Sequence, residues 1–567
     1  MVIVALFVRL FYWQVVRGKE LSEQGYIQQQ SARRVLAQRG DILASDGTWL
    51  AASLDAWLLY AQRPKFSGDP SDTSHNLAEI FVEKIENSDN SKEAEKTYKD
   101  AFKKEQERIE KLLNKKELVW IPLKNRLNRQ TKKAVEELGI DGLYFELEED
   151  RAYPEASSAA HLLGFVGKDN EGKDKGYFGL EGYYDDYLAG KDGFKIAEKN
   201  ALGIPIIFGV NKEGVAMRGV DLITHIDKGV QLIVEKHLAR GLEKYGAISG
   251  SITVSRPVDG AILAMASLPS FDPDKYFDYG DEFFRNPVIS DAFEPGSIFK
   301  PIVMAAGIDS GVVNSDTLCD ICSGPLQVDK YFIKTWNNKY NPKSTMRDVI
   351  IHSDNVGMAF VGKKLGSDKM YDYLESFGFG RLTGIDLQGE VTPSLRKKGS
   401  WNIVDLATTS FGQGIAVTPI QMIKAIGVIA NGGLEVAPQL VDKVKLANGT
   451  EDLPPNVGKQ VISSKAAREI TEMMIAAVNE GEAKWALPKG HLIAGKTGTA
   501  QIPVSGHYDA EKTIASFVGF APPYNPKFLM LVTLREPTSS PWASETAAPL
   551  WFDIARELFK YFNIRPE

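Results

Sequence analysis

Ser297 and Lys300 stand three residues apart in the stretch Phe293-Glu294-Pro295-Gly296-Ser297-Ile298-Phe299-Lys300-Pro301. Pro295 and Gly296 break whatever precedes them. Ser297 therefore falls at or just inside a helix start, and helical spacing carries Lys300 to the same face. A hydroxyl beside an amine is a nucleophile next to its base, once the amine has lost its proton. A helix N-terminus and a second nearby cation both push a lysine toward neutrality. The pattern alone decides nothing, because average composition gives a chain of this length about two Ser-x-x-Lys matches by chance. A second copy is present as Ser394-Leu395-Arg396-Lys397.

Two further motifs belong with a serine–lysine nucleophile, Ser-x-Asn and Lys-Thr-Gly. Ser-Asp-Asn occurs as Ser88-Asp89-Asn90, in a charged run ahead of both candidates, which marks it as coincidence. It recurs as Ser353-Asp354-Asn355, ahead of an apolar helix predicted over 356–365. Lys-Thr-Gly occurs once, as Lys496-Thr497-Gly498 within Ala494 to Gln501. Its apolar and glycine flanks suit a sheet-edge strand approached by substrate. Chance would place about 0.15 such tripeptides in the chain. Only Ser297 precedes a Ser-x-Asn and a Lys-Thr-Gly in that order, since Ser394 follows both Ser-Asp-Asn copies. Ser297 is the candidate nucleophile.

These residues need a scaffold. The pattern changes near Gly219: a strand is predicted over 220–226 and a helix over 231–245. Strands over 249–254 and 260–266 flank the turn Pro257-Val258-Asp259-Gly260. A domain boundary falls between Asn211 and Gly219, leaving about 350 residues for one large α/β domain. Upstream, Gln38 to Ala51 reads as two short strands around Asp46-Gly47, and 65–74 as a polar loop. In 93–114 the apolar residues Tyr98, Phe102, Ile109, Leu112 and Leu113 recur at helical spacing, predicting an amphipathic surface helix.

The 567 residues, 43% hydrophobic and 25% charged, suit two or three globular domains. A net charge of -7 argues against nucleic acid as the main partner. Met1 to Val16 is apolar apart from Arg9 and Gln14, with Tyr12 and Trp13 resembling an interfacial belt. As helix it reaches roughly 24 Å against a hydrocarbon core of ~30 Å. The expectation is a membrane anchor that extends upstream of Met1; the alternative is a buried N-terminal helix of a soluble protein. Cys319-Asp320-Ile321-Cys322 is half a zinc site with no second pair, and a metal, a local disulfide or two thiols all stay open. His352 is the one candidate for a further ligand there; His75, His161, His225, His237, His491 and His507 show no partner pattern and read as structural or exposed.

With the three motifs in order, the chain resembles the class B penicillin-binding proteins, the monofunctional peptidoglycan D,D-transpeptidases. The resemblance runs nearly end to end. It includes Arg9-Leu10-Phe11-Tyr12, Arg39-Gly40, Arg151 to Asp192, Leu263 to Ser267 and Pro269 to Pro273. Ser410-Phe411-Gly412-Gln413-Gly414, Val417-Thr418-Pro419 and Phe517 to Pro522 complete it. Glu155-Ala156 stand where the family commonly has a glycine after Tyr-Pro, and Asp354 where it often has serine.

The resemblance implies a multidomain chain. A membrane anchor (1–17) would precede an elongated α+β pedestal of the dimerisation type (18–212). An α/β penicillin-binding transpeptidase domain (213–567) would follow, an antiparallel sheet flanked by helices. It implies that Ser297 attacks a D-Ala-D-Ala stem to form an acyl-enzyme, with Lys300, kept neutral by desolvation and by Lys496, as general base. Ser353 would relay the proton to the leaving D-alanine, and Asn355 would hold the substrate amide and Lys300. Ser297 and Thr499 N–H groups would form the oxyanion hole; Lys496, Thr497 and Thr499, beside Gly498, would hold the terminal carboxylate. Transfer to an amine of a neighbouring stem completes a cross-link, in cell-wall elongation or division. No cofactor or metal is implied. The implied partners are stem peptides, β-lactams, the cytoplasmic membrane and a membrane-embedded glycosyltransferase of the shape or division type. The implied location is a single pass through the cytoplasmic membrane with the catalytic domain outside. A β-lactam hydrolase, or a catalytically silent β-lactam-binding sensor or scaffold, is the alternative on the same motifs.

Overall fold

Strands whose residues are buried on both faces read as near-continuous apolar runs, and two such runs, Ile262–Leu268 and Phe528–Arg535, lie in the five-stranded sheet of the larger part of this chain. The computed structural model describes residues 2–20, 30–82, 91–115, 117–198, 211–504 and 507–566. Two compact units emerge: Met1–Arg39, Ala51–Ala152 and Asp192–Met217 in one, Gly40–Leu50, Tyr153–Lys191 and Arg218–Glu567 in the other.

The smaller unit begins with α1 (Val2–Phe11), whose apolar side chains are exposed. Among the described residues no helix is long and apolar enough to cross a membrane. Strand β1 (Trp49–Gln62) lies between β2 (Trp120–Leu127) and β3 (Leu143–Ala152), antiparallel to both. Helices α2 (Pro70–Phe81) and α3 (Ser91–Leu113) cover this sheet. Leu77, Ile109 and Leu113 pack with Leu59, Ile121 and Leu123, so the helical spacing found in 93–114 does bury one face. The loop expected over 65–74 is shorter than that. Asp69 accepts from the N–H groups of Ser71 and Asp72, and Pro70 occupies the first helical position. This capping signature starts α2 inside the stretch that polarity alone assigned to loop. Ser88-Asp89-Asn90 lies outside the described residues.

In the larger unit, α4 (Lys228–Tyr245) is capped by the Asp227 carboxylate and ended by Gly246 at φ +63°. Strands β4 (Ser249–Ser255) and β5 (Ile262–Leu268) follow as a hairpin. Then come α5 (Lys300–Asp309), α6 (Met346–Ile351), α7 (Asn355–Leu365), α8 (Pro419–Ala430) and α9 (Ser464–Glu480). Strands β6 (Ala494–Val504), β7 (His507–Ala521) and β8 (Phe528–Arg535) complete an antiparallel sheet of order β5-β4-β8-β7-β6. The Lys-Thr-Gly strand is thus an edge strand, as its flanks predicted.

One face of the sheet carries α4 and the C-terminal helix α10 (Ala547–Tyr561), joined through Val234, Leu238, Leu550, Trp551 and Leu558. Trp551 is fully buried, and its indole N–H donates to Met530 O at 2.9 Å, so its polar handle is satisfied. In register across the sheet run Ser267, Ser251, Thr533, Ser516 and Gly498, one small residue per strand. The row ends at Gly498, where the edge strand presents no side chain.

Candidate active site

Ser297 sits on a single 3-10 turn, Gly296–Phe299, that runs directly into α5. The turn is fixed by close backbone approach. Gly296, at φ +55°, donates its N–H to Gly412 O at 2.9 Å. Gly412 is at φ +82°, and a Cβ there would lie 2.1 Å from Gly296 O. On the other side, a Cβ at Gly498 would lie 2.8 Å from Ile298 Cγ2 and 3.0 Å from Ile298 N. Gly498 is the bare end of the cross-sheet row, which lets the nucleophile's turn rest against the edge strand.

Lys300, the first residue of α5, is fully buried. Its Nζ lies 2.6 Å from Ser353 O, 3.1 Å from Ser353 Oγ and 2.8 Å from Asn355 Oδ1. Two of these are carbonyl oxygens that can only accept; the third is a hydroxyl that can donate. An ammonium with three N–H donors and a neutral amine that accepts from the Ser353 hydroxyl both satisfy this shell, and burial decides for the neutral form. Burial, reinforced by Lys496, holds the Lys300 pKa well below 10.5. Ser297 itself makes no hydrogen bond to Lys300 among the described residues; the amine is turned toward Ser353 and Asn355.

Ser353 adopts φ +55°, unusual for a residue with a side chain. It links the end of α6 to Asp354, whose carboxylate accepts from Val356 and Gly357 N–H and so caps α7. That cap places Asn355 as the first helical residue, and its Nδ2 donates to Lys334 O at 3.0 Å. On β6, Lys496 is 3% exposed, with Nζ 3.1 Å from Thr497 O and 3.3 Å from Thr497 Oγ1. Burial pushes its pKa down to about 8, opposed by the Glu482 carboxylate. With Lys300 neutral, Lys496 feels no repulsion from it. Thr499 Oγ1 accepts from Ala543 N–H at 3.0 Å.

Ser297, Ser353, Asn355, Thr497 and Thr499 line one cleft, with Lys300 and Lys496 buried beneath its floor. Ser394 is exposed in a segment without regular structure and does not line it. The cleft has walls that motif reading missed: Trp336 and Trp542, in edge contact at 5.3 Å between ring centroids, Gln413, and Glu482. Gln413 falls in a segment quoted for the family likeness. The tryptophans stand on irregular loops and Glu482 just past the end of α9, where no periodicity marks a residue. Away from the cleft, Cys319 and Cys322 form a disulfide, which settles the alternatives left open for that pair. His161 is buried with Nε2 3.0 Å from Phe283 O, and burial lowers it to about 4.

Residues 250–560 match the family description "Penicillin binding protein transpeptidase domain", and residues 34–224 match "Penicillin-binding Protein dimerisation domain". The chain is 33% identical over 570 aligned residues to "Stage V sporulation protein D" of Bacillus subtilis, covering 98% of this chain and 83% of that protein. It is 30% identical over 452 residues to "Peptidoglycan D,D-transpeptidase FtsI" of Escherichia coli, covering 79% and 73%. Its fold is similar to that of Penicillin Binding Protein 2X from Streptococcus thermophilus, with a TM-score of 0.75 at 24% identity, covering 94% of this chain and 80% of that one.

Proposed function

The chain belongs to the class B penicillin-binding proteins, serine D,D-transpeptidases of peptidoglycan that β-lactams acylate, and from that membership we propose which residues of this chain carry each step. Ser297 Oγ attacks the carbonyl between the two D-alanines of a donor stem. Its proton passes by way of the neutral Lys300 and Ser353 to the departing D-alanine nitrogen. The C–N bond breaks, and the stem stays on Ser297 as an ester. Asn355 holds Lys300 in place and offers its amide to the substrate. The N–H groups of Ser297 and Thr499 face the developing oxyanion, each worth about 2.7–4 kcal/mol in such sites. Thr499 lies on an edge strand whose outer side is open to substrate. Lys496, with the hydroxyls of Thr497 and Thr499, receives the terminal carboxylate of the leaving D-alanine. An amine of a second stem then displaces Ser297 and closes the cross-link.

The observation that carries this assignment is the full burial of Lys300, with its Nζ on Ser353 and Asn355 and no carboxylate among those partners, which disfavours an ammonium ion. The test is covalent labelling by a fluorescent penicillin. Ser297→Ala is expected to abolish the label, and Ser394→Ala to leave it intact. Loss of label in the Ser394 variant alone overturns the assignment.

The N-terminal apolar stretch is the proposed single-pass anchor, with the catalytic domain on the outer side of the cytoplasmic membrane. Its support is composition and the interfacial pair Tyr12 and Trp13. The boundary between pedestal and catalytic domain is placed near residue 213, and a membrane-embedded glycosyltransferase is the proposed partner.

A further inference from the structure

Glu482 is a charged residue in the cleft with no role in the steps above. Its backbone is brought there by Gly481, which ends α9: a Cβ at Gly481 would lie 2.2 Å from Ala477 O and 3.3 Å from Ile351 O. The chain therefore passes close to the end of α6, two residues ahead of Ser353. Arg347 on α6 and Glu480 on α9 form an ion pair that ties the same two helices together. The Glu482 side chain emerges on the cleft surface with Ser297, Ser353 and Thr497. It makes no hydrogen bond and no ion pair among the described residues. Desolvation in the cleft raises its carboxyl pKa, opposed first by the nearby Lys496.

Thus the cleft presents two opposite charges on the flank of Ser353: the Lys496 ammonium, with Thr497, and the Glu482 carboxylate. On the reading above, the leaving D-alanine, its carboxylate on Lys496 and Thr497, departs over this flank, and by microscopic reversibility an acceptor of the same shape enters by the reverse path. We propose that Glu482 is the acceptor-side specificity residue, taking the ammonium of an acceptor whose amine and carboxylate share one carbon while Lys496 and Thr497 take that carboxylate. This rests on the reading of Ser297 as nucleophile. The ammonium gives one proton to the Glu482 carboxylate, which later returns it to solvent. The freed amine attacks the ester carbonyl, the C–N bond forms, and the C–Oγ bond breaks. The second amine proton reaches Ser297 Oγ through Lys300. Water has no ammonium for Glu482 to hold, so binding by the carboxylate favours transfer over hydrolysis; were Glu482 instead the base for water, the ratio would rise in Glu482→Gln, which overturns the proposal.

The test uses the purified full chain, a D-alanyl thioester peptide as acyl donor, and either D-alanine or D-alaninamide as acceptor. The ratio of transferred to hydrolysed donor belongs to the acyl-enzyme and does not depend on how fast that species forms. Glu482→Gln is expected to lower the ratio for D-alanine about tenfold, the scale of one charge-assisted hydrogen bond. Glu482→Asp should restore part of it, and D-alaninamide should be the poorer acceptor in the unaltered chain. An unchanged ratio in Glu482→Gln, or equal use of the two acceptors, overturns the proposal. Penicillin labelling of the unaltered chain is followed in parallel. If it is absent, the fault lies with Ser297 as nucleophile; if it is present with an unchanged ratio, the fault lies with Glu482.

Discussion

Lys300 and Lys496 are the same residue type, both buried, and are assigned opposite states. Burial, then the charge of Lys496, lowers Lys300 well below 10.5, whereas Lys496 falls only to about 8 because Glu482 stands near it. Acylation therefore climbs with pH as Lys300 gives up its proton, then declines around pH 8 as Lys496 loses the charge that holds the substrate carboxylate. Lys496→Arg keeps that charge at all accessible pH values. It is expected to remove the decline while lowering the overall rate. A rate of penicillin labelling that keeps rising toward pH 10.5 in the unaltered chain speaks against Lys496 as the carboxylate partner. At this scale the sequence was informative where residues act in a fixed order: Ser297, Ser353-Asp354-Asn355 and Lys496-Thr497-Gly498 meet in one cleft, and Ser394 stays outside. Trp336, Trp542 and Glu482 were not legible. Each reaches the cleft from a loop, and only the fold brings those loops together.

Among the elements, α7 and β6 do the positioning. The Asp354 cap sets where α7 begins and so where Asn355 points. Asp354→Ala is expected to cost about 1 kcal/mol of stability, read by thermal unfolding, and to slow penicillin labelling as Asn355 loosens. Asp354→Ser keeps a side-chain oxygen at the cap and should retain both. Equal damage from the two variants would falsify a capping role. Gly498 is the matching device on β6. Gly498→Ala sets a methyl against Ile298, including its backbone N, and cannot be relieved by turning a side chain. It should slow labelling by roughly ten- to a hundredfold, because the displaced residue is next to the nucleophile. Unaltered labelling kinetics in this variant would show that the turn tolerates the shift. Elements were readable where one signal was strong, as in the helix over 93–114 and the edge strand around Lys496. They were misread where two signals competed: Gly68 and Pro70 suggested a loop, and the Asp69-Pro70 cap made a helix.

For the molecule as a whole, the two family descriptions meet between residues 224 and 250, and the compact units are woven from more than one stretch of chain each. Residues 40–50 and 153–191 pack with the larger unit. Such pairing of distant segments leaves no mark in local periodicity, which is why boundaries read from pattern alone treat the chain as consecutive blocks. The proposed anchor is tested at this scale. Removing residues 1–17 is expected to shift the protein from the membrane fraction to the soluble fraction while penicillin labelling persists. Continued sedimentation of the shortened chain with membranes would assign the attachment to another segment.

The glycine contact under the nucleophile has a consequence for organisms exposed to β-lactams. Gly412 leaves no room for a methyl group against Gly296, and Gly498 leaves none against Ile298. A single mutation that thickens either contact is expected to shift Ser297 for drug and stem peptide alike, slowing acylation by both. Inheritable resistance in this enzyme has to be sought at the rim, at Trp336, Gln413 and Trp542, where side chains can change shape without moving the serine.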